Sequence, residues 1–157
     1  MSIHPDNRWL MSFASGAWSP VTAHQSNLFP SPHTQWSASG AVDAYLSYGV
    51  PASRIYIGVP FYSRGFAGTN GLGSPATGPS PDKSWEEGVV DYKSLPLTGA
   101  VEMWDERAQA SYSYDGRRKV MNSYDNPQAV KAKCEYIKQK GLGGLIIWES
   151  MSLRCSC

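Results

Sequence analysis

The sequence predicts an α/β fold, a run of β/α repeats interrupted by an inserted segment of mixed character. Short apolar runs that read as buried strands alternate with segments of helical periodicity. The last run, Gly144 to Glu149, is apolar at successive positions. That is the mark of a strand buried on both faces, and so of a parallel sheet covered by helices. Before the second helix comes a Gly/Pro/Ser/Thr-rich stretch and then short strand-like pieces, which fit no β/α repeat.

Trp9 to Phe13 reads as the first strand. Ala14 to Trp36 is irregular and rich in Ser, Pro and His, a loop long enough to carry function. Ser37 or Ser39 caps a helix over roughly Gly40 to Tyr48, with Ala41, Val42, Tyr45, Leu46 and Tyr48 at helical spacing; Gly49 and Pro51 stop it. Arg54 to Pro60 is the second strand, β-branched and flanked by prolines. Gly68 to Asp82 reads as turn and loop. Glu102–Trp104, Ala110–Tyr114 and Lys119–Ser123 are short strands, with Asp115-Gly116 as a hairpin turn. Asp125 or Asn126 caps a final helix, Pro127 lies in its first turn, and Gly141 ends it after Lys140. Its apolar face is Ala129, Val130, Ala132, Cys134, Tyr136 and Ile137. The order is strand, helix, strand, insertion, helix, strand. A complete (β/α)8 barrel needs about 250 residues, so 157 residues supply three of its strands.

Net charge is +1, which argues against nucleic acid as a partner. No apolar run is long enough to span a bilayer, and Met1 to Asp6 lacks the pattern of a signal peptide. Three cysteines, Cys134, Cys155 and Cys157, make no disulfide framework and no zinc set, and read as free thiols. His4, His24 and His33 are too scattered for a metal site, and His24 reads as structural. Six Trp and nine Tyr suit either a Trp-rich core or carbohydrate binding, since pyranose rings present flat C–H faces to indole. Composition leaves both open.

Three segments decide between them. Gly58-Val59-Pro60-Phe61-Tyr62-Ser63-Arg64-Gly65-Phe66 resembles the Gly-x-Pro-x-Tyr-Gly-Arg-x-Phe segment of family 18 chitinases, their seventh barrel strand and exit loop. Ser123-Tyr124-Asp125-Asn126-Pro127 resembles the segment closing their inserted α+β domain, and Gly141 to Ser150 resembles their eighth strand. His24 to Ser31 and Ser84-Trp85-Glu86-Glu87-Gly88 match the fungal branch. The resemblance covers nearly the whole chain. It implies the C-terminal part of a TIM barrel: residues 1–66 would hold strands six and seven with their helix, 67–123 the inserted α+β domain, and 124–157 the last helix, strand eight and a divergent tail.

The same resemblance implies a parent that hydrolyses chitin, with N-acetylglucosamine oligosaccharide as partner, no cofactor and an extracellular place of work. In the family the substrate's own acetamide attacks the anomeric carbon, an exception to the two-carboxylate scheme. The acid comes from an Asp-x-x-Asp-x-Asp-x-Glu motif, which does not occur in these residues. What the resemblance leaves is a sugar-binding floor. Trp148 would lie under the sugar at the cleavage point, Tyr62 and Arg64 would hydrogen-bond sugars on either side, and Met11 and Trp18 would flank them. Phe13 stands where the family has its catalytic Tyr, and the neighbouring Asp has no equivalent. Losing one such transition-state hydrogen bond costs about 10²–10³ in rate. Glu86-Glu87, Asp105-Glu106 and Glu149 read as solvated or structural.

Three readings follow. The chain is a piece of a chitinase, a non-catalytic binder of chitin oligosaccharides, or a partial gene product whose unpaired barrel edges invite aggregation. The departures at both ends suggest truncation or a reading-frame boundary.

Overall fold

A computed structural model describes residues 8–10 and 19–148. The expected positions Met11, Phe13, Trp18, Glu149, Cys155 and Cys157 lie outside the described residues, as does His4.

Two sheets organise the chain. The first is parallel, in the order β1 (Arg8–Leu10), β2 (Ile55–Pro60), β9 (Gly144–Trp148). Ile57 pairs with Leu10 on one side and with Leu145 on the other. α1 (Ala38–Ser47) lies between β1 and β2 in sequence, and α2 (Pro127–Lys140) precedes β9, so the expected alternation holds. α1 begins at Ser37, whose hydroxyl accepts from the Gly40 N–H. α2 begins at Asn126, which accepts from the Ala129 N–H, and it ends at Gly141 in the left-handed conformation, φ 65°. Leu28, Val42, Ile55, Ile57, Tyr136 and Leu142 form the buried core where both helices meet β2.

The second sheet is antiparallel: β4 (Gly78–Pro79), β3 (Tyr62–Ala67), β8 (Val120–Tyr124), β7 (Ala110–Asp115) and β6 (Val101–Asp105), with β5 (Val89–Asp91) also on β3. Sequence periodicity located β6, β7 and β8 to within a residue or two. It missed β3 as a strand of its own: the second strand is expected to end at Pro60 and to be followed by an exit loop, whereas only Phe61 separates β2 from β3.

Four expectations need correction. The β7–β8 turn is not a two-residue Asp-Gly turn. Asp115 pairs with Val120, and Asp115 Oδ1 accepts from the Arg117 and Arg118 N–H groups, which builds a longer Asx-type loop. Tyr48 is not on the packed face of α1: it is the C-cap and is 85% exposed. β9 is parallel as expected but not buried on both faces. It is at the edge of its sheet among the described residues, with Ile147 and Trp148 exposed. On α2 the buried residues are Ala129, Lys133 and Tyr136. Lys133 thus occupies the stripe expected to be apolar.

Before α1, the described segment from Thr22 to Leu28 is irregular yet largely buried. Its backbone polar groups find partners on both sheets' neighbours. Thr22 N–H donates to Ser74 O at 2.9 Å, Gln25 N–H to Ser123 Oγ at 2.9 Å, and Phe29 N–H to Ala108 O at 3.0 Å. Asn27 and Leu28 carbonyls accept from the first turn of α1. At its centre the Lys133 ammonium donates to Asp125 Oδ2 and to Ser26 Oγ, with all three side chains buried. Burial pushes the Asp125 carboxyl up, and the Lys133 charge and the Ser26 hydroxyl pull it back.

Removing one partner of a buried pair strands the other charge. Lys133→Met is therefore expected to lower stability by about 3–5 kcal/mol. Lys133→Met combined with Asp125→Asn should recover part of that loss, as read by urea denaturation of the two variants. His24 adds a pH dependence. Its Nε2 meets Asp105 Oδ2 at 3.0 Å, and its ring packs edge-on to Tyr112. Burial holds the imidazole below its ordinary 6.5, only partly offset by Asp105. The folded state thus prefers neutral His24, whereas the unfolded chain takes up a proton near 6.5. Stability is expected to fall as pH drops below that value. In His24→Gln the difference between urea midpoints at about pH 7.5 and about pH 5.5 should shrink.

Candidate sugar-binding site

In open α/β sheets and in barrels, sites form beyond the carboxyl ends of parallel strands. Trp148 is the last residue of β9, opposite Pro60, the last residue of β2. The Phe61 N–H donates to the Trp148 carbonyl at 2.7 Å. Tyr62 and Arg64 follow at once in β3, two apart and so on one face of that strand. Three of the expected site residues are thus brought to the carboxyl end of the parallel sheet. The exit segment is held from the other side as well. Tyr92 N–H donates to Phe61 O at 3.0 Å, and the Phe61 and Tyr92 rings lie 5.7 Å apart at 30°.

Trp148 is 49% exposed, so its indole is open to a ligand. Tyr62 is only 5% exposed. Arg64 lies over the Tyr62 ring, 5.8 Å to the centroid, and its guanidinium reaches Glu86 Oε1 at 3.5 Å. Trp85 packs edge-to-face on Tyr62, with centroids 5.7 Å apart at 71°. Of the other tryptophans, Trp36 is 77% and Trp85 51% exposed, and Trp104 is half-buried. The choice between a Trp-rich core and a Trp-bearing surface therefore falls to the surface for these residues.

Behind the exit segment Tyr124 donates to Glu102 Oε2 at 2.6 Å, and Asn126 Nδ2 donates to Glu102 Oε1 at 2.9 Å. Burial first, and then the Glu102 carboxylate, push the Tyr124 hydroxyl far above its ordinary value. It stays protonated and donating. Sequence reasoning did not single out Glu102, which is exposed like its neighbours on β6 and carries no local signature.

The carboxylate pairs read as structural have separate partners. Asp105 turns inward to His24 and accepts from the Arg107 and Ala108 N–H groups, while Glu106 accepts from Trp104 Nε1 at 2.7 Å. Partial burial alone would raise Asp105; its hydrogen bonds from Ala108 and His24 more than offset this and hold it below the ordinary carboxylate value. No group of His, Cys, Asp and Glu among the described residues could hold a metal ion. No described helix is long and apolar enough to cross a membrane.

The family model for glycosyl hydrolases family 18 matches residues 2–152. The chain belongs to that family. It is 44% identical over 144 residues to Endochitinase 1 of Metarhizium robertsii, covering 89% of this chain and 34% of that protein. The chain spans about a third of the length of the curated relatives it matches, 34% of that one and 33% of Chitinase 1 from Aphanocladium album. Among solved structures, a class V chitinase from Nicotiana tobaccum superposes with a TM-score of 0.83 at 27% identity, over 95% of this chain and 45% of that one. A family 18 chitinase from Cycas revoluta, solved in complex with (GlcNAc)3, superposes with a TM-score of 0.78 at 27% identity, over 92% of this chain and 42% of that one. The parallel sheet and its helices therefore belong to a TIM-barrel-type fold.

Where β3 meets β8 and Ser80, the chain has no room for a side chain at position 65. A Cβ on Gly65 would come within 2.5 Å of Asn122 Oδ1 and 2.8 Å of Ser80 Cβ. Gly65→Ala is expected to destabilise the chain by about 1–3 kcal/mol, seen as a lower urea midpoint. Glu86→Gln, at an exposed ion pair, should change stability by less than about 1 kcal/mol in the same measurement.

Proposed function

We propose that this chain is the sugar-binding floor of a chitinase whose whole protein hydrolyses β-1,4-linked N-acetylglucosamine polymers by the substrate-assisted route. The observation that carries the reading is the placement of Trp148, Tyr62 and Arg64 at the carboxyl end of the parallel sheet, joined through the Phe61–Trp148 hydrogen bond. The Cycas revoluta relative was solved with (GlcNAc)3, which supports the same class of ligand here. Trp148 takes the pyranose face at the cleavage point, where its area excludes water and its stiff ring orders at low entropy cost. Arg64, beside the Tyr62 ring, supplies fixed donors to hydroxyl and acetamide oxygens. The family resemblance assigns Met11 and Trp18 to the same floor.

The antiparallel sheet, from Tyr62 to Tyr124, corresponds to the inserted α+β domain expected at 67–123. The family resemblance supports an extracellular place of work. Within these residues no Asp-x-x-Asp-x-Asp-x-Glu motif occurs and Phe13 stands for the catalytic Tyr. The chain by itself therefore binds without cleaving.

A second reading, a non-catalytic chitin-oligosaccharide binder, is favoured by Phe13 and by the missing Asp beside it. Gene sequence upstream of Met1 separates the two: an intact Asp-x-x-Asp-x-Asp-x-Glu supports the hydrolase, and a copy with the Glu replaced supports the binder.

Titration of the 157-residue chain with a chitin oligosaccharide should perturb its near-UV tryptophan signal, and Trp148→Ala should weaken binding by about tenfold or more. The purified chain should release no reducing sugar. An unperturbed signal, or affinity indifferent to Trp148→Ala, would refute the floor.

A further inference from the structure

One exposed aromatic ring beside the floor was assigned no role by the sequence. Trp85 is half exposed, and its edge lies against the nearly buried Tyr62. At this point the aromatic surface offered to solvent is therefore the indole of Trp85, with Tyr62 as its backing. Single exposed hydrophobic residues are ordinary. Trp36 and Tyr48 flank α1 and lie outside β3 and the loop that packs on it. Trp85 differs from them in the way its loop is held.

The loop from Ser80 to Gly88 is pinned at both ends to one residue of β3: Ser80 N–H donates to Gly65 O at 2.9 Å, and Gly65 N–H donates to Gly88 O at 2.7 Å. Gly88 N–H closes on Asp82 O at 3.0 Å, and Lys83 and Glu87 form a bridge. Immediately before Trp85, Ser84 N–H donates to Val89 O at 2.7 Å and Ser84 Oγ accepts from Asp91 N–H at 2.9 Å. Immediately after it, Glu86 meets Arg64. Arg118, from the β7–β8 loop, clamps Asp82 through one nitrogen at 2.8 and 3.0 Å to the two carboxylate oxygens. Hydrogen bonds from Arg118 and Ser80 outweigh the effect of partial burial and hold Asp82 below the ordinary carboxylate value. An indole presented on so constrained a loop has little ordering entropy left to lose on binding.

We propose that Trp85 is a further sugar-stacking residue of this site. It would take the pyranose face of a chitin unit beyond the one over Trp148, and Asp82 and Arg118 are the positioning residues that hold its loop. The inference rests on the proposed function above. The neighbouring Arg64 and Glu86 offer a donor and an acceptor to the same sugar's polar groups.

The test is calorimetric titration of the 157-residue chain with the N-acetylglucosamine disaccharide and with a longer chitin oligomer. Trp85→Ala is expected to weaken the longer oligomer about tenfold and to leave the disaccharide nearly unchanged. Trp85→Phe should restore most of the loss. Arg118→Ala should reproduce the length-dependent loss, and Arg118→Lys should recover part of it. If Trp85→Ala leaves both affinities unchanged while Trp148→Ala weakens both, the floor stands and the role of Trp85 is overturned. Equal weakening of both ligands by Trp85→Ala would make the residue structural and also overturn it. An unaltered chain that binds neither sugar would refute the proposed function, and this inference with it.

Discussion

The buried ion pair between Lys133 and Asp125 is the interaction on which the arrangement turns. An ammonium and a carboxylate out of water are tolerable only when each satisfies the other and the remaining lone pairs find donors. Ser26 completes that set, so three segments distant in sequence must converge at one point: the irregular segment before α1, the end of β8, and the middle of α2. Apolar side chains would have allowed sliding among these elements. The ion pair permits one register only, since a displaced charge would be buried alone.

That convergence sets the floor. α2 leads directly into β9 and so to Trp148, while β8 is the partner of β3 and so of Arg64, which pairs with Ser123. Fixing α2 against the end of β8 fixes the end of the parallel sheet against the antiparallel one. The Phe61–Trp148 hydrogen bond then closes the remaining gap, and the Tyr92 ring stacked on Phe61 keeps the exit segment from swinging. Precision at a binding site comes from such support by rigid elements rather than from the contact residues themselves. Tyr124, which keeps its proton, anchors Glu102 of β6 to the same junction.

Local chemistry made much of the fold legible. Ser37, Asn126, Pro127 and Gly141 announced the helix ends through the backbone groups they satisfy or free. The β-branched run of β2 and the short strand-like pieces on either side of Asp115-Gly116 announced strands. The floor was legible only through the resemblance of Gly58–Phe66 and Gly141–Ser150 to a known family, because a Trp at a strand end or an Arg after a Tyr is not diagnostic alone. Trp85 stayed silent for a different reason. Its meaning depends on lying against Tyr62, and that contact joins residues 62 and 85 across a sheet edge.

The sequence by itself determined the order of strands and helices and the caps of the helices, since these follow from neighbours a few residues apart. Only the tertiary structure decided that Lys133 is buried, that β3 leaves the parallel sheet after Phe61, that Trp36, Trp85 and Trp148 are exposed, and that Arg64 and Trp85 both lie against Tyr62, just past the Phe61–Trp148 hydrogen bond. These outcomes depend on pairings between segments far apart in sequence, whose energies no local pattern records.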